Sequence, residues 1–167
     1  IKSDTEYELY LEVLASVEAD RANFEPYIDM LKKGLLDPET AKYINDQINF
    51  NLNPSYDDRS VIGDDPEDLN DRNYGNPDVE GEDALHGTHV AGIIGANRNN
   101  NLGVEGVADN VKIMSVRTVP NGDEHDKDVA LAIRYAVDNG AKVINMSFGK
   151  GYSPKAEWVY EAMAYAD

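Results

Sequence analysis

Apolar residues recur at spacings of three and four over the first third of the chain. Tyr7, Leu9, Leu11, Val13 and Leu14 open a mixed pattern that continues through Val17 and Ala22. Tyr27, Ile28, Met30, Leu31, Leu35 and Leu36 form a second set, and Ala41, Tyr43, Ile44, Ile48 and Phe50 a third. Such a period predicts amphipathic helices. Asp37-Pro38 sets the start of the third helix, with Asp37 at the N-cap and Pro38 at the first helical position, and Asn53-Pro54 closes it. From Ser55 to Leu85 the pattern dissolves into Asp, Asn, Gly and Pro, with Val61-Ile62 the one short strand-like pair. Loops of this length are usually functional or mobile. Beyond it, Gly87–Ala96 is small and apolar, Lys112–Val119 alternates as a strand does, and Asp126–Asn139 has a helical period. Gly140 is then expected to end that helix in the left-handed region. Lys142–Phe148 reads as a buried strand, and Ser153-Pro154 as the N-cap and first-turn proline of a last helix through Ala164. Strand, helix, strand, helix in that order predicts a parallel βαβ unit with a right-handed crossover, and hence an α/β fold class. The expected organisation is a helical insertion or appendage at 1–54, a loop-rich connection at 55–85 and an α/β zone at 86–167.

Charge and composition narrow the function classes. The net charge of -17, from 32 acidic and 15 basic residues, argues against nucleic acid or an anionic membrane as partner, since both require a basic surface. Its plain reading is a well-solvated surface. With no cysteine, disulfides, zinc-thiolate sites and cysteine nucleophiles are excluded. No apolar run approaches the ~18–20 residues that cross a bilayer, so no transmembrane segment is expected. The start at Ile1 without Met and the end at Asp167 inside an apolar periodic stretch suggest an internal piece of a longer protein.

The run His86-Gly87-Thr88-His89-Val90-Ala91-Gly92-Ile93-Ile94-Gly95 is the most informative. A histidine follows a polar loop and opens a helix of small residues, although each interior Gly costs roughly 1 kcal/mol against Ala. That sacrifice predicts a close-packed, buried helix presenting His86 at its start. The run closely resembles the histidine motif H-G-T-H-V-A-G of the subtilisin-like (subtilase) serine proteases. The resemblance continues in order: Leu102–Ala108 is similar to the family's I-G-V-x-G-V-A segment, Val111–Thr118 to the strand after it, and Val143–Gly149 to its V-I-N-M-S-[LF]-G segment. The matching blocks run from about Asp83 to Gly149.

The resemblance implies a partial subtilisin-like parallel sheet with flanking helices, and a serine endopeptidase cleaving peptide or protein substrates through an Asp-His-Ser triad. His86 would take the serine proton and return it to the leaving amine. His89, three positions on, would face the packed side in a structural role. An H-x-x-H metal site from this pair is disfavoured, because zincin helices space their histidines by four with a glutamate beside the first. Ser147, Phe148 and Gly149 would form one wall of the primary specificity pocket. Gly122 and Asp123, within 120–124, would lie on the opposite substrate edge, where an extended peptide adds as a strand. On residue chemistry alone, Ser147 is a core strand residue satisfying its own hydroxyl. The sequon Asn145-Met146-Ser147 would be accidental on a buried strand. Asp123, Glu124, Asp126 and Asp128 would favour basic residues upstream of the scissile bond, or are solvated charge suited to a helix start.

No cofactor is required for this chemistry. Structural calcium at the loop 97–104, through Asn100, Leu102 and Val104, is implied by a calcium loop of many subtilases, though this loop is one residue longer. The triad aspartate is missing. Asp4-Thr5-Glu6 lacks the glycine of D-[ST]-G and any preceding strand, and Asp64, Asp65 and Asp83 lie in loops without that context. The G-T-S-x-A serine and the oxyanion asparagine are absent as well. The polypeptide itself is therefore expected to be inactive. The alternative function is that of a non-catalytic relative whose helices and groove bind a protein partner. An extracytoplasmic home (secreted, periplasmic or surface-anchored) follows from the resemblance.

Overall fold

The computed structural model describes residues 4–167 and divides into two compact units. One holds the residues up to Asp58 with Asn121–Asp123; the other holds Arg59–Pro120 and Glu124–Asp167.

In the first unit, α1 (Asp4–Lys32) runs unbroken through Pro26, joining the first apolar set to Tyr27, Ile28, Met30 and Leu31 of the second, with Leu35 and Leu36 beyond its end. A proline inside a helix removes one i→i−4 bond and typically costs about 3 kcal/mol, which is why a break is the usual expectation. Leu14, Val17, Phe24, Ile28 and Leu31, with Arg21 between them, are half-buried at spacings of three and four and form its packed stripe, while Leu9, Leu11, Val13, Tyr27 and Met30 are exposed. Helix α2 (Pro38–Asp46) starts as the sequence predicts: the Asp37 carboxylate accepts the Thr40 amide at 3.0 Å, with Pro38 in the first turn. It continues into a π-helical turn, Gln47–Asn51, closed by Leu52 N–H donating to the Gln47 carbonyl at 2.9 Å. The wide turn leaves carbonyls to be satisfied from outside. Arg21 of α1 does so, donating to the Ile48 and Leu52 carbonyls at 3.2 and 2.9 Å. Ile44 and Leu52 are buried here, and Phe24 packs against Tyr43.

The second unit opens with α3 (Arg59–Ile62), one helical turn where the sequence suggests a strand at Val61-Ile62. Both apolar side chains are exposed, while Arg59 is buried. The acidic connection after it is built of short turns in which a carboxylate or amide oxygen accepts an amide two residues on: Asp65 from Glu67, Asp68 from Asn70, Asn76 from Asp78, Asp78 from Glu80. Asp and Asn are abundant there because their short side chains stand in for a backbone carbonyl.

Helices α4 (Leu85–Gly95), α5 (Asp126–Asp138) and α6 (Ala156–Ala166) follow. Val129, Ala130, Ile133 and Ala136 form the buried stripe of α5 at helical spacing. Val129, Ala130 and Ile133 meet Ala162 of α6 in the core, with Leu69, Ile144, Trp158 and Val159 packed around them. Ala130 and Ala162 are fully enclosed, and their small size lets the two helices approach closely. Gly140, at φ 86°, ends α5 as expected; its amide donates to Val137 and that of Ala141 to Ala136. The last helix begins later than predicted. Its first residue is Ala156, and the Ser153 hydroxyl donates to Asp126 instead of capping α6.

The expected parallel sheet is overturned. Among the described residues there is no strand, and Lys112–Val119 and Lys142–Gly149 carry no regular structure. A strand exists only when its amides and carbonyls meet those of a neighbour. Neither stretch is paired with the other or with another segment, and most of their apolar side chains stay out, Val143 at 88% exposed and Ile113 at 50%, with Ile144 alone packed on the α5–α6 core. The β-type pattern read from these residues is present; the partner that converts pattern into strand is not.

Candidate active site

His86 stands in the first turn of α4. That turn is set by Asp83, whose carboxylate accepts the Leu85 amide at 2.8 Å, and by Thr88 N–H donating to the Ala84 carbonyl. His86 and His89 are both exposed, and no residue of α4 is buried. The close packing expected of the small residues is confined to the far end of the helix. Gly87 and Gly92 face open space, whereas a side chain at Gly95 would meet Val111 at 2.8 Å. Gly106 lies against the Gly95 backbone so tightly that any side chain there would collide with it. Three amides, Gly106, Val107 and Ala108, donate back to Ala96, Ile93 and Ile94, pinning the returning chain along that end. The helix thus presents its histidine end freely and is held by its opposite end.

The aspartates that could have oriented a histidine are otherwise engaged. Asp65 closes its own turn and Asp83 accepts the Leu85 amide in the turn that leads into α4. Asp64 is fully buried and accepts from Arg59 at 2.9 Å and from the Lys127 ammonium. Burial opposes its ionisation, but hydrogen bonds and charge from Lys127 and Arg59 outweigh it and hold its carboxyl below the usual carboxylate range. The Arg59 guanidinium also grips Asp128 through two bonds, 3.2 and 2.8 Å, and the Tyr74 hydroxyl donates to the same carboxylate at 2.6 Å. Burial first, then the neighbouring Asp128, pushes the Tyr74 phenol well above its ordinary value. Lys127 completes the cluster by donating to the Asp65 carbonyl at 2.7 Å and lying over the Tyr74 ring.

Residues 97–104 form an exposed loop closed at its base by Arg98, which donates to the Gly106 and Val107 carbonyls at 2.8 and 2.6 Å and pairs with Asp109. The Asn100 side-chain oxygen accepts the Leu102 amide at 2.9 Å. Among the described residues no group of three His, Cys, Asp or Glu is arranged to hold a metal ion.

The candidate substrate residues fall in different units. Gly122 and Asp123 belong to the first, where Gly122 lies beside Phe50 and the Asn51 amide reaches Asp123 at 3.5 Å. Ser147, Phe148 and Gly149 belong to the second and are exposed rather than buried in a strand, with the Asn145 amide donating to the Ser147 hydroxyl at 2.9 Å. Of the four acids near the start of α5, Asp123 is solvated, but Glu124 and Asp126 are buried and Asp128 is locked to Arg59, so none of these three is surface charge. Asp126 accepts from the Ser153 hydroxyl at 2.6 Å and the Lys155 amide at 2.8 Å, and pairs with Lys150 at 3.0 Å. Burial opposes its ionisation and these three donors outweigh it, so its carboxyl too stays below the ordinary range. Sequence reasoning missed Lys150, Lys127 and Arg59. The one signal was the alternation Asp126-Lys127-Asp128 at a helix start, where simple dipole complementarity would place acids alone.

Comparison with known proteins gives these observations a family. The profile of the subtilase family matches residues 35–166, which extends well upstream of the histidine motif. A thermophilic serine proteinase of Bacillus sp. (strain AK1) is 52% identical over 65 residues, covering 38% of this chain and 16% of that protein. Thermitase of Thermoactinomyces vulgaris is 48% identical over 65 residues, 38% of this chain and 23% of its own length. The cell wall-associated protease of Bacillus subtilis (strain 168) is 46% identical over 72 residues, 42% of this chain and 8% of that protein. The chain therefore spans less than a quarter of each of these relatives. No solved structure matches it. With a profile match over most of its length and a histidine motif at the open end of α4, this chain belongs to the subtilase family of serine proteases.

Proposed function

We propose that the protein is a serine endopeptidase in which His86 is the general acid and base of an Asp-His-Ser triad. The observation that carries this reading is the position of His86: an exposed imidazole in the first turn of a helix whose other end is fixed. A base that must reach a serine hydroxyl and then a leaving amine needs such access and a firm mount. The aspartate and serine would come from the rest of the whole protein, since the aspartates near the motif are committed to structure. The 167-residue polypeptide is accordingly proposed to be inactive alone. Gly122 and Asp123, and separately Ser147, Phe148 and Gly149, would each contact an extended peptide substrate. An extracytoplasmic location is proposed by analogy with relatives named as cell wall-associated and extracellular proteases. Calcium at the loop 97–104 would use the Asn100 side-chain oxygen and the Leu102 and Val104 carbonyls. With no carboxylate in that set and Arg98 bonded to the same loop, its binding would be weak, since affinity follows ligand charge.

In the full-length protein, His86→Ala is expected to lower kcat on a peptide substrate by roughly 10⁴- to 10⁶-fold with KM little changed. A full-length protein as active with Ala at position 86 as with His would sink the assignment.

A further inference from the structure

We propose that Asn121 is a site of spontaneous deamidation, and that backbone hydrogen bonding directs this modification to Asn121 and away from Asn139. The chain holds two Asn-Gly pairs, Asn121-Gly122 and Asn139-Gly140. In such a pair the glycine amide nitrogen can attack the asparagine Cγ, because no side chain on the glycine obstructs the approach. A bond forms between that nitrogen and Cγ, the Cγ–Nδ2 bond breaks, and ammonia leaves with the glycine's amide proton. Water then opens the cyclic imide at either carbonyl, giving aspartate or isoaspartate. Water is the sole co-reactant, and the reaction is independent of the endopeptidase reading.

At Asn139 both reacting groups are occupied. The Gly140 amide donates to the Val137 carbonyl at 2.9 Å, and the Asn139 side-chain amide donates to the Tyr135 carbonyl at 2.9 Å. These bonds form the stop of α5, so ring closure there must first undo it. Asn121 and Gly122 instead lie in a bend outside any helix, with Gly122 at φ 125°. Among the described residues neither the Gly122 amide nor the Asn121 side chain has a hydrogen-bond partner. Around Gly122 there is room to turn, since a Cβ built there would meet only Phe50, at 3.9 Å. Exposure ranks the two sites the other way: Asn139 and Gly140 are exposed, whereas Asn121 and Gly122 are half-buried. Access of water governs only the second step, however. The first is slower, because an amide nitrogen is a poor nucleophile until it sheds its proton, while the imide is an activated acyl group. Either product alters the stretch that carries Gly122 and Asp123: aspartate adds a carboxylate, and isoaspartate adds a methylene to the main chain.

The test follows both sites in the folded full-length protein held at mildly alkaline pH. Trypsin separates them, cutting after Arg117 and Lys127 around Asn121 and after Arg134 and Lys142 around Asn139. Mass spectrometry of each peptide then reads the conversion of amide to acid. Product is expected at Asn121 at least about tenfold faster than at Asn139, the factor that breaking one net hydrogen bond imposes. In guanidinium the two sites should react at comparable rates, because the bonds at the end of α5 are gone. Asn121→Gln, whose longer side chain closes the ring poorly, should bring product at position 121 to background and leave Asn139 unchanged. Folded protein in which Asn139 reacts as fast as Asn121 overturns the proposal. So does an Asn121 that stays intact when folded. A rate ratio that persists in guanidinium overturns it too, by tracing the preference to neighbouring residues and not to the fold.

Discussion

Helices α4 and α5 differ in the opposite sense to their compositions. The first, LHGTHVAGIIG, is small and apolar and buries nothing; the second, DKDVALAIRYAVD, is rich in charge and buries six residues, two of them charged. Apolar content therefore does not decide burial here. What decides it is whether a surface of matching shape faces the helix. Helix α5 has one, α6, together with a charged cluster that binds its first turn to the loop 59–74. Helix α4 is gripped at one end by the returning chain at Gly106–Ala108 and is open along the rest.

The largest test of this contrast lies in the cluster. Removing one partner of a buried ion pair leaves the other charge uncompensated, and Asp64 serves two cations at once. Asp64→Ala is expected to destabilise the second unit by about 3–5 kcal/mol, measured by chemical denaturation. A loss below about 1 kcal/mol, the range of surface pairs, would show that the cluster does not anchor α5.

Next come matched truncations of the two helices. Ile133, 3% exposed, should cost about 2–5 kcal/mol when changed to Ala. Ile93, 50% exposed, should cost no more than about 0.5 kcal/mol. Equal costs would mean that α4 is packed as tightly as α5.

The smallest effect is the response to pH. The carboxyls of Asp64 and Asp126 are depressed in the folded state, so below about pH 4 the unfolded chain binds protons more readily. Their stabilisation is present above that pH and is lost as pH falls through the lower folded values. Tyr74 acts in the other direction: its raised phenol contributes stability below about pH 10 that is lost as pH rises. Thermal unfolding should therefore weaken at both extremes, and Tyr74→Phe should flatten only the alkaline side. A variant whose alkaline limb is unchanged would exclude the Tyr74–Asp128 bond as its cause.

Much of this was legible in the residues, for reasons that can be named. The cap at Asp37, the period of α5 and the stop at Gly140 are local, set by one to four neighbours along the chain, and each stands where the pattern places it. The histidine motif was legible because the unbroken run His86–Gly95 resembles the family segment, whereas the close packing read from its glycines holds only at Gly95 and fails at Gly87 and Gly92. The sheet was not, since alternation in Lys112–Val119 and Lys142–Phe148 states a preference that only a neighbouring strand can fulfil. The cluster was not legible either. Arg59 and Asp128 are 69 positions apart, and nothing in either local context distinguishes a buried ion from a solvated one.

The Arg98 clasp has a practical corollary. Residues 97–105 are all exposed, and the loop's base is closed by Arg98 and by the amides of Gly106 and Val107. A loop tied at its neck can be lengthened at its tip for little added closure entropy, roughly 0.6 kcal/mol per doubling. The stretch around Asn99–Asn101 is thus a ready place to graft an epitope or a fluorescent label without disturbing the helix that carries His86.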